Sequence, residues 1–166
     1  MSEFIDLYDQ NRKLLNREVD RTTYLFQPGE FMMYVLAILE NSQGEFLVTQ
    51  RAFNKKWAAG NWEMPGGGAK SKESSLDAIK REVKEETGLD VKNGGVVYSY
   101  FNEDNDRHDN YFVDIYKFVL EFDESDVKTQ EEEVSGFAIA DLNEIKRYAD
   151  EGIFLHYDSI RQAFEE

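Results

Sequence analysis

Apolar residues fall in short β-like blocks along most of this chain, and a helical period appears only near the middle and towards the end. Phe31 to Leu39 is a continuous apolar, β-favouring run. The turn-forming stretch Asn41-Ser42-Gln43-Gly44 follows it, and Phe46 to Gln50 returns, so the pair reads as a hairpin. Phe53 to Asn61 is polar and aromatic and reads as a loop. Trp62 to Met64 reads as a short strand that Pro65 and three glycines end. Gly95 to Phe101, Tyr111 to Phe122 and Val134 to Ala140 are further strand candidates, the second with an imperfect period of two. Asp141 is placed to cap a helix carrying Leu142, Ile145 and Tyr148, and a last helix is expected from about Tyr157 to Phe164. Asp123 to Glu133 reads as a solvated, charge-rich connection. Residues 1–27 fit either a hairpin or a helix. Strands on both sides of an internal helix, with helices at the end, predict an α+β or α/β sandwich. With no internal repeat or Gly/Ser-rich linker, residues 1–166 read as one domain, with residues 1–27 as an N-terminal extension.

The internal helix carries the chemistry. Ser74 and Asp77 have capping-box spacing, and Gly88 suits the left-handed residue that ends a helix, so the helix is expected over about Ser75 to Thr87. On a wheel of about 100° per residue, Glu82, Glu85 and Glu86 share an arc of roughly 100°. Ile79, Val83 and Leu76 form the expected core stripe beside them, which places Glu86 at the edge of the core. Ala78 leaves room beside the carboxylates for a loop or ligand. Lys80 and Lys84 point away, so no helix lysine relieves the repulsion among the three acids. Geometry alone leaves two readings open: a hard-cation site for Mg²⁺ or Mn²⁺, or a plain acidic surface. The preceding Gly66, Gly67 and Gly68 offer backbone groups that no side chain obscures, able to approach a phosphate or a metal closely.

Composition narrows the partners. The formal net charge is −15, which disfavours general binding to nucleic acid or to an anionic membrane surface. An anionic substrate would need local positive charge from a bound cation or from Arg51, Lys55 and Lys56. Arg51, at a strand end near the loop, is a candidate phosphate contact or a structural ion pair. Cysteine is absent, which rules out disulfides, zinc–thiolate sites and cysteine nucleophiles. No apolar run approaches the ~20 residues of a membrane span, and the start lacks the pattern of a signal peptide. A cytoplasmic protein is expected. His108 and His156 have no metal-ligand spacing and read as surface or structural residues. Phe53, Trp57, Trp62, Tyr98, Tyr100 and Tyr111 are candidates to stack on a base, although core packing is the usual fate of such residues.

From Gly67 the chain runs Gly, five residues, Glu73, seven residues, then Arg81-Glu82-Val83-Lys84-Glu85-Glu86-Thr87-Gly88-Leu89. This resembles the Nudix box, complete at every defined position, and the approach Trp62-Glu63-Met64-Pro65-Gly66 resembles the same family. The resemblance implies an α/β/α sandwich with a central mixed sheet, the box forming a loop–helix–loop. It implies metal-dependent hydrolysis of a small-molecule substrate in which a nucleoside diphosphate is linked to another moiety, with Mg²⁺ or Mn²⁺ as cofactor. Carried over by motif position, Glu82, Glu85 and Glu86 become metal-binding carboxylates and Gly66 or Gly67 a backbone-carbonyl ligand. Glu73 and Arg81 become an ion pair that holds loop and helix in register. The base is one of the box glutamates or a later loop residue among Glu131, Glu132 and Glu133. Many such proteins are homodimers. Two alternatives accompany this reading. One is a non-catalytic nucleotide-binding or regulatory module, although such proteins commonly lose box glutamates. The other is an isopentenyl-diphosphate isomerase, which Phe31 to Arg51, with Trp57 and Trp62, also resembles but whose catalytic cysteine is missing here.

Overall fold

The computed structural model describes residues 3–130 and 132–165. Strands β1 (Phe4–Tyr8) and β2 (Leu14–Asp20) form an antiparallel hairpin, which settles the ambiguity of the N-terminal stretch. The main sheet contains β3 (Met32–Glu40), β4 (Phe46–Arg51), β5 (Trp62–Glu63), β6 (Gly66–Gly68), β7 (Gly95–Asn102), β8 (Tyr111–Val119) and β9 (Val134–Ala140). Its order is β5-β4-β3-β8-β7, with β6 also beside β3 and β9 beside β4. All these pairs are antiparallel except β3 with β8, which run parallel from Met32 opposite Tyr111 to Glu40 opposite Val119. The sheet is therefore mixed.

Helix α1 (Ser75–Thr87) packs on one face of the sheet, where Val35, Ala37, Leu39, Ile79 and Val83 are fully buried. Helices α2 (Leu142–Asp150) and α3 (Tyr157–Ile160) cover the other with Ile38, Val48, Ile115 and Ile145. This is the expected α/β/α sandwich. Each large aliphatic side chain buried there contributes about 1.5–3 kcal/mol.

Several sequence expectations need amendment. The triple glycine does more than end a strand: Gly66, Gly67 and Gly68 form β6, in register with Leu36, Val35 and Tyr34. A Cβ on Gly66 would collide with the Val35 carbonyl oxygen, so only glycine allows this approach. Leu76 does not join the core. The first turn of α1 faces the sheet through Ser75, whose hydroxyl bonds Asp114, and Leu76 turns outward to 38% exposure. Ala78, in contrast, is fully buried in the core cluster that also holds Ala69, just after the glycine strand. The last helix is also shorter than expected, since a 3-10 stretch takes over at Arg161–Glu165. Among the described residues, no helix is long and apolar enough to cross a membrane.

Candidate functional site

Helix α1 begins where Ser74 accepts the Asp77 amide at 3.0 Å and ends at Gly88, whose φ of 78° lies in the left-handed region. Between these caps Arg81 is the organising group. Its Nε and Nη2 donate to the two carboxylate oxygens of Glu73 at 2.7 and 3.0 Å, a forked pair. Nη2 also reaches the Gly68 carbonyl at 3.1 Å, and Nη1 donates to Glu82 at 2.9 Å and Glu85 at 3.2 Å. One guanidinium thus ties the loop, β6 and two of the three helix glutamates together. The pair with Glu73 is the one that the motif implies; in addition Arg81, rather than a lysine, takes up part of the carboxylate repulsion.

Glu82 lies directly over Gly67: a Cβ on that glycine would stand 2.5 Å from Glu82 Oε1. Burial pushes the Glu82 carboxyl up to about 7; Arg81 opposes this, while Glu85 and Glu3 add to it. Glu86 accepts the Gly66 amide at 3.0 Å. Burial raises its carboxyl well above the usual range, and the charges of Glu82, Glu63 and Glu133 act in the same direction. Glu85 is more open, with a side chain 41% exposed. Gly66, Gly67, Gly68, Glu73, Arg81, Glu82, Glu85 and Glu86 are therefore gathered at one place. Among the described residues, no three of the acidic or histidine side chains stand close enough together to hold a metal as they are. Arg81 draws Glu82 and Glu85 to itself, and Glu86 leans on Gly66.

Arg51 ion-pairs with Glu63 at 3.2 Å, donates to the Trp57 carbonyl at 3.1 Å and lies over the Trp57 ring. Its structural role is the one visible. Glu63 was not singled out from sequence, although it precedes Met64-Pro65-Gly66. Burial raises its carboxyl, Arg51 and Lys55 oppose that, and Glu133 adds to it. Glu133 is ion-paired with Lys55, and its backbone carbonyl accepts the Ala52 amide, which brings this later loop to the acidic cluster. Glu132 is exposed, and Glu131 lies outside the described residues.

The aromatic candidates divide. Trp62, Tyr98, Tyr100 and Tyr111 line the α2 face of the sheet beside Leu36 and Tyr148, all only partly buried, with Trp62 stacked on Tyr148 at 5.5 Å. Phe53 and Trp57 stand on the loop between β4 and β5, 71% and 57% exposed, and Trp57 stacks on His156. His108 bonds the Phe26 carbonyl and His156 precedes α3, both structural positions.

The family model of the NUDIX domain matches residues 30–161. The chain belongs to the Nudix family. A Nudix hydrolase of Listeria innocua, lin0387, is 29% identical over 163 residues, covering 96% of this chain and 92% of its own. The CTP pyrophosphohydrolase of Escherichia coli is 34% identical over 76 residues, 46% of this chain and 56% of its own. Among solved structures, DR0079 from Deinococcus radiodurans superposes with a TM-score of 0.70 at 19% identity, covering 89% of this chain and 90% of that one. The Nudix assignment agrees with the resemblance carried by residues 67–89, and it implies hydrolysis of a pyrophosphate linkage in nucleoside diphosphate derivatives.

Proposed function

We propose that this Nudix protein is a metal-dependent diphosphohydrolase whose cation is held by Glu82, Glu85 and Glu86 with the Gly67 carbonyl. The observation that carries this reading is the Glu73–Arg81–Gly68 clasp, which sets Glu82 and Glu86 against Gly66 and Gly67. The donor set suits Mg²⁺ or Mn²⁺: carboxylate oxygens with a glycine backbone that no Cβ obstructs. Burial first, and repulsion from neighbouring acids second, raise the carboxyls of Glu82 and Glu86, and a hard cation would relieve both. Such a cation, when bound, supplies charge neutralisation at the diphosphate oxygens.

The chain's own groups do the rest. Arg81 orients Glu82 and Glu85, and Glu73 orients Arg81. Gly66 and Gly68, packed against Val35 and Arg21, fix the course of the backbone that the diphosphate would meet. Water attacks phosphorus, a carboxylate takes its proton, and the P–O bond of the bridging oxygen breaks, giving a nucleoside monophosphate and a phosphate ester of the other moiety. Glu133 is the base candidate outside the helix, because the loop before β9 brings its charge near enough to act on the Glu86 carboxyl, while Lys55 pairs with it. The partly buried aromatic face around Trp62, Tyr98 and Tyr111 is the surface on which a base would stack.

The test is a substrate screen with Mg²⁺ or Mn²⁺ on nucleoside triphosphates including CTP, nucleotide sugars, ADP-ribose, dinucleoside polyphosphates, coenzyme A and 8-oxo-dGDP. Glu82→Gln and Glu86→Gln are compared with the parent. Turnover of at least one substrate, lost in both variants, is the expected result. No turnover, or variants at the parent's rate, would sink the proposal.

A further inference from the structure

The N-terminal hairpin lies before the residues that the family model matches, yet its polar side chains converge on the loop that carries Glu73 and, through Asp114, on the start of the helix that later carries Glu82, Glu85 and Glu86. Two ties are built. The first holds the loop at residues 69–74. Ser71 donates its amide to the Phe4 carbonyl at 2.9 Å, and its hydroxyl donates to Asp6 Oδ1 at 2.8 Å and lies against Glu18. The Lys72 amide donates to Asp6 Oδ2 at 2.8 Å. Lys72 has a φ of 65°, a left-handed conformation that an ordinary side chain adopts only when its surroundings hold it there. The next residue is Glu73, the anchor of Arg81.

The second tie reaches α1. Arg12, in the hairpin turn, sends one nitrogen to both carboxylate oxygens of buried Asp114 at 2.8 and 2.7 Å and stacks over Phe112. Asp114 also accepts the Ser75 hydroxyl at 2.8 Å, at the first residue of the helix. A free two-stranded hairpin is marginal in water. This one is anchored by buried Ile5 and Leu7 and by paired backbone bonds between Tyr8 and Phe31.

We propose that the hairpin belongs to the hydrolytic apparatus: Asp6 and Arg12 are positioning residues that set the loop and the start of α1, and through them Glu82 and Glu86. A continuous chain of bonds supports it, from Asp6 through Lys72 and Glu73 to Arg81 and Glu82. The inference rests on the diphosphohydrolase reading for its consequence in turnover, and on the metal site alone for its consequence in cation binding.

The experiment measures two things on Asp6→Ala, Asp6→Asn, Arg12→Met and Ser71→Ala. One is kcat and KM on the best substrate of the screen; the other is Mn²⁺ affinity without nucleotide, by electron paramagnetic resonance. Circular dichroism confirms folding. Asp6→Ala and Arg12→Met are expected to lower kcat about 10-fold or more with KM within about twofold, since small displacements of catalytic groups cost that much. Both are expected to weaken Mn²⁺ by about 10-fold, as loss of groups behind metal ligands does. Asp6→Asn keeps an acceptor for the Lys72 amide and a donor for Ser71, and is expected to recover most of the loss. Folded Asp6→Ala and Arg12→Met proteins with kcat and Mn²⁺ affinity both within about twofold of the parent would overturn the inference. If those two do not fold, Ser71→Ala is read on the same scales, about threefold or more supporting the inference and no change overturning it. A parent that turns over nothing overturns the hydrolase reading, and Mn²⁺ affinity then decides the hairpin's role. A parent that binds no Mn²⁺ at millimolar concentration overturns both.

Discussion

Glu86 has the Gly66 amide as its hydrogen-bond donor and the charges of Glu82, Glu63 and Glu133 around it. Its negative charge therefore works against the fold while being what the proposed cation requires. Glu86→Gln is expected to hold or raise the melting temperature without metal and to lower turnover about 100-fold or more, a split that calorimetry and kinetics read together. Gly67→Ala makes the opposite kind of change. Its methyl would stand 2.5 Å from Glu82 Oε1, so the carboxylate must move and turnover is expected to fall by about 10-fold or more with the fold retained. Glu30 shows a third balance. Burial would raise its carboxyl, but bonds from Tyr24, the Gln27 amide and Arg17 outweigh burial and hold it below the usual value. A carboxyl with a lowered folded pKa stabilises fully above the unfolded value, near about 4.3, and loses that contribution as pH falls through the lower folded value. Glu30→Gln should therefore cost about 1–3 kcal/mol at pH 7, a gap that closes in acid when urea unfolding is followed against pH.

Helix α1 is where sequence and structure agree most closely, because its ends are set by local chemistry. Ser74→Ala should cost about 1 kcal/mol in denaturant unfolding. Gly88→Ala should cost about 1–2 kcal/mol, since its φ is 78° and a Cβ would meet Lys128 at 3.1 Å. The strands from Phe46, Gly95 and Val134 were legible for a similar reason, as apolar runs bounded by turn residues. What stayed illegible was long-range. Nothing local marks Gly66–Gly68 as a strand, since glycine has low strand propensity and its partners Tyr34, Val35 and Leu36 are distant in sequence. Leu76 fits the wheel but loses its place to Ser75, because Asp114 on β8 claims the hydroxyl there. The shared arc of Glu82, Glu85 and Glu86 could be read from spacing, and the Glu73–Arg81 pair from the resemblance to the Nudix box. The hairpin's hold on residues 71 and 72 could not, because Asp6 and Lys72 meet only in the folded molecule.

At the scale of the whole molecule, a net charge of −15 repels the phosphates that the site must admit. Screening should therefore help: at fixed free metal, kcat/KM for a nucleotide is expected to rise about two- to threefold as ionic strength goes from about 0.01 to about 0.15 M. A fall over that range would show that local cations, not the global field, govern capture. The parallel pairing of β3 with β8 has a consequence for biosynthesis. Residues 33–110, including every glutamate of the helix, lie between the first partners, Met32 and Tyr111. A nascent chain emerging from the ribosome therefore exposes its acidic segment before the strand that completes the centre of the sheet exists. Until β8 emerges, the sheet lacks its central partner, and the helix that bears Glu82, Glu85 and Glu86 has no completed face to settle on.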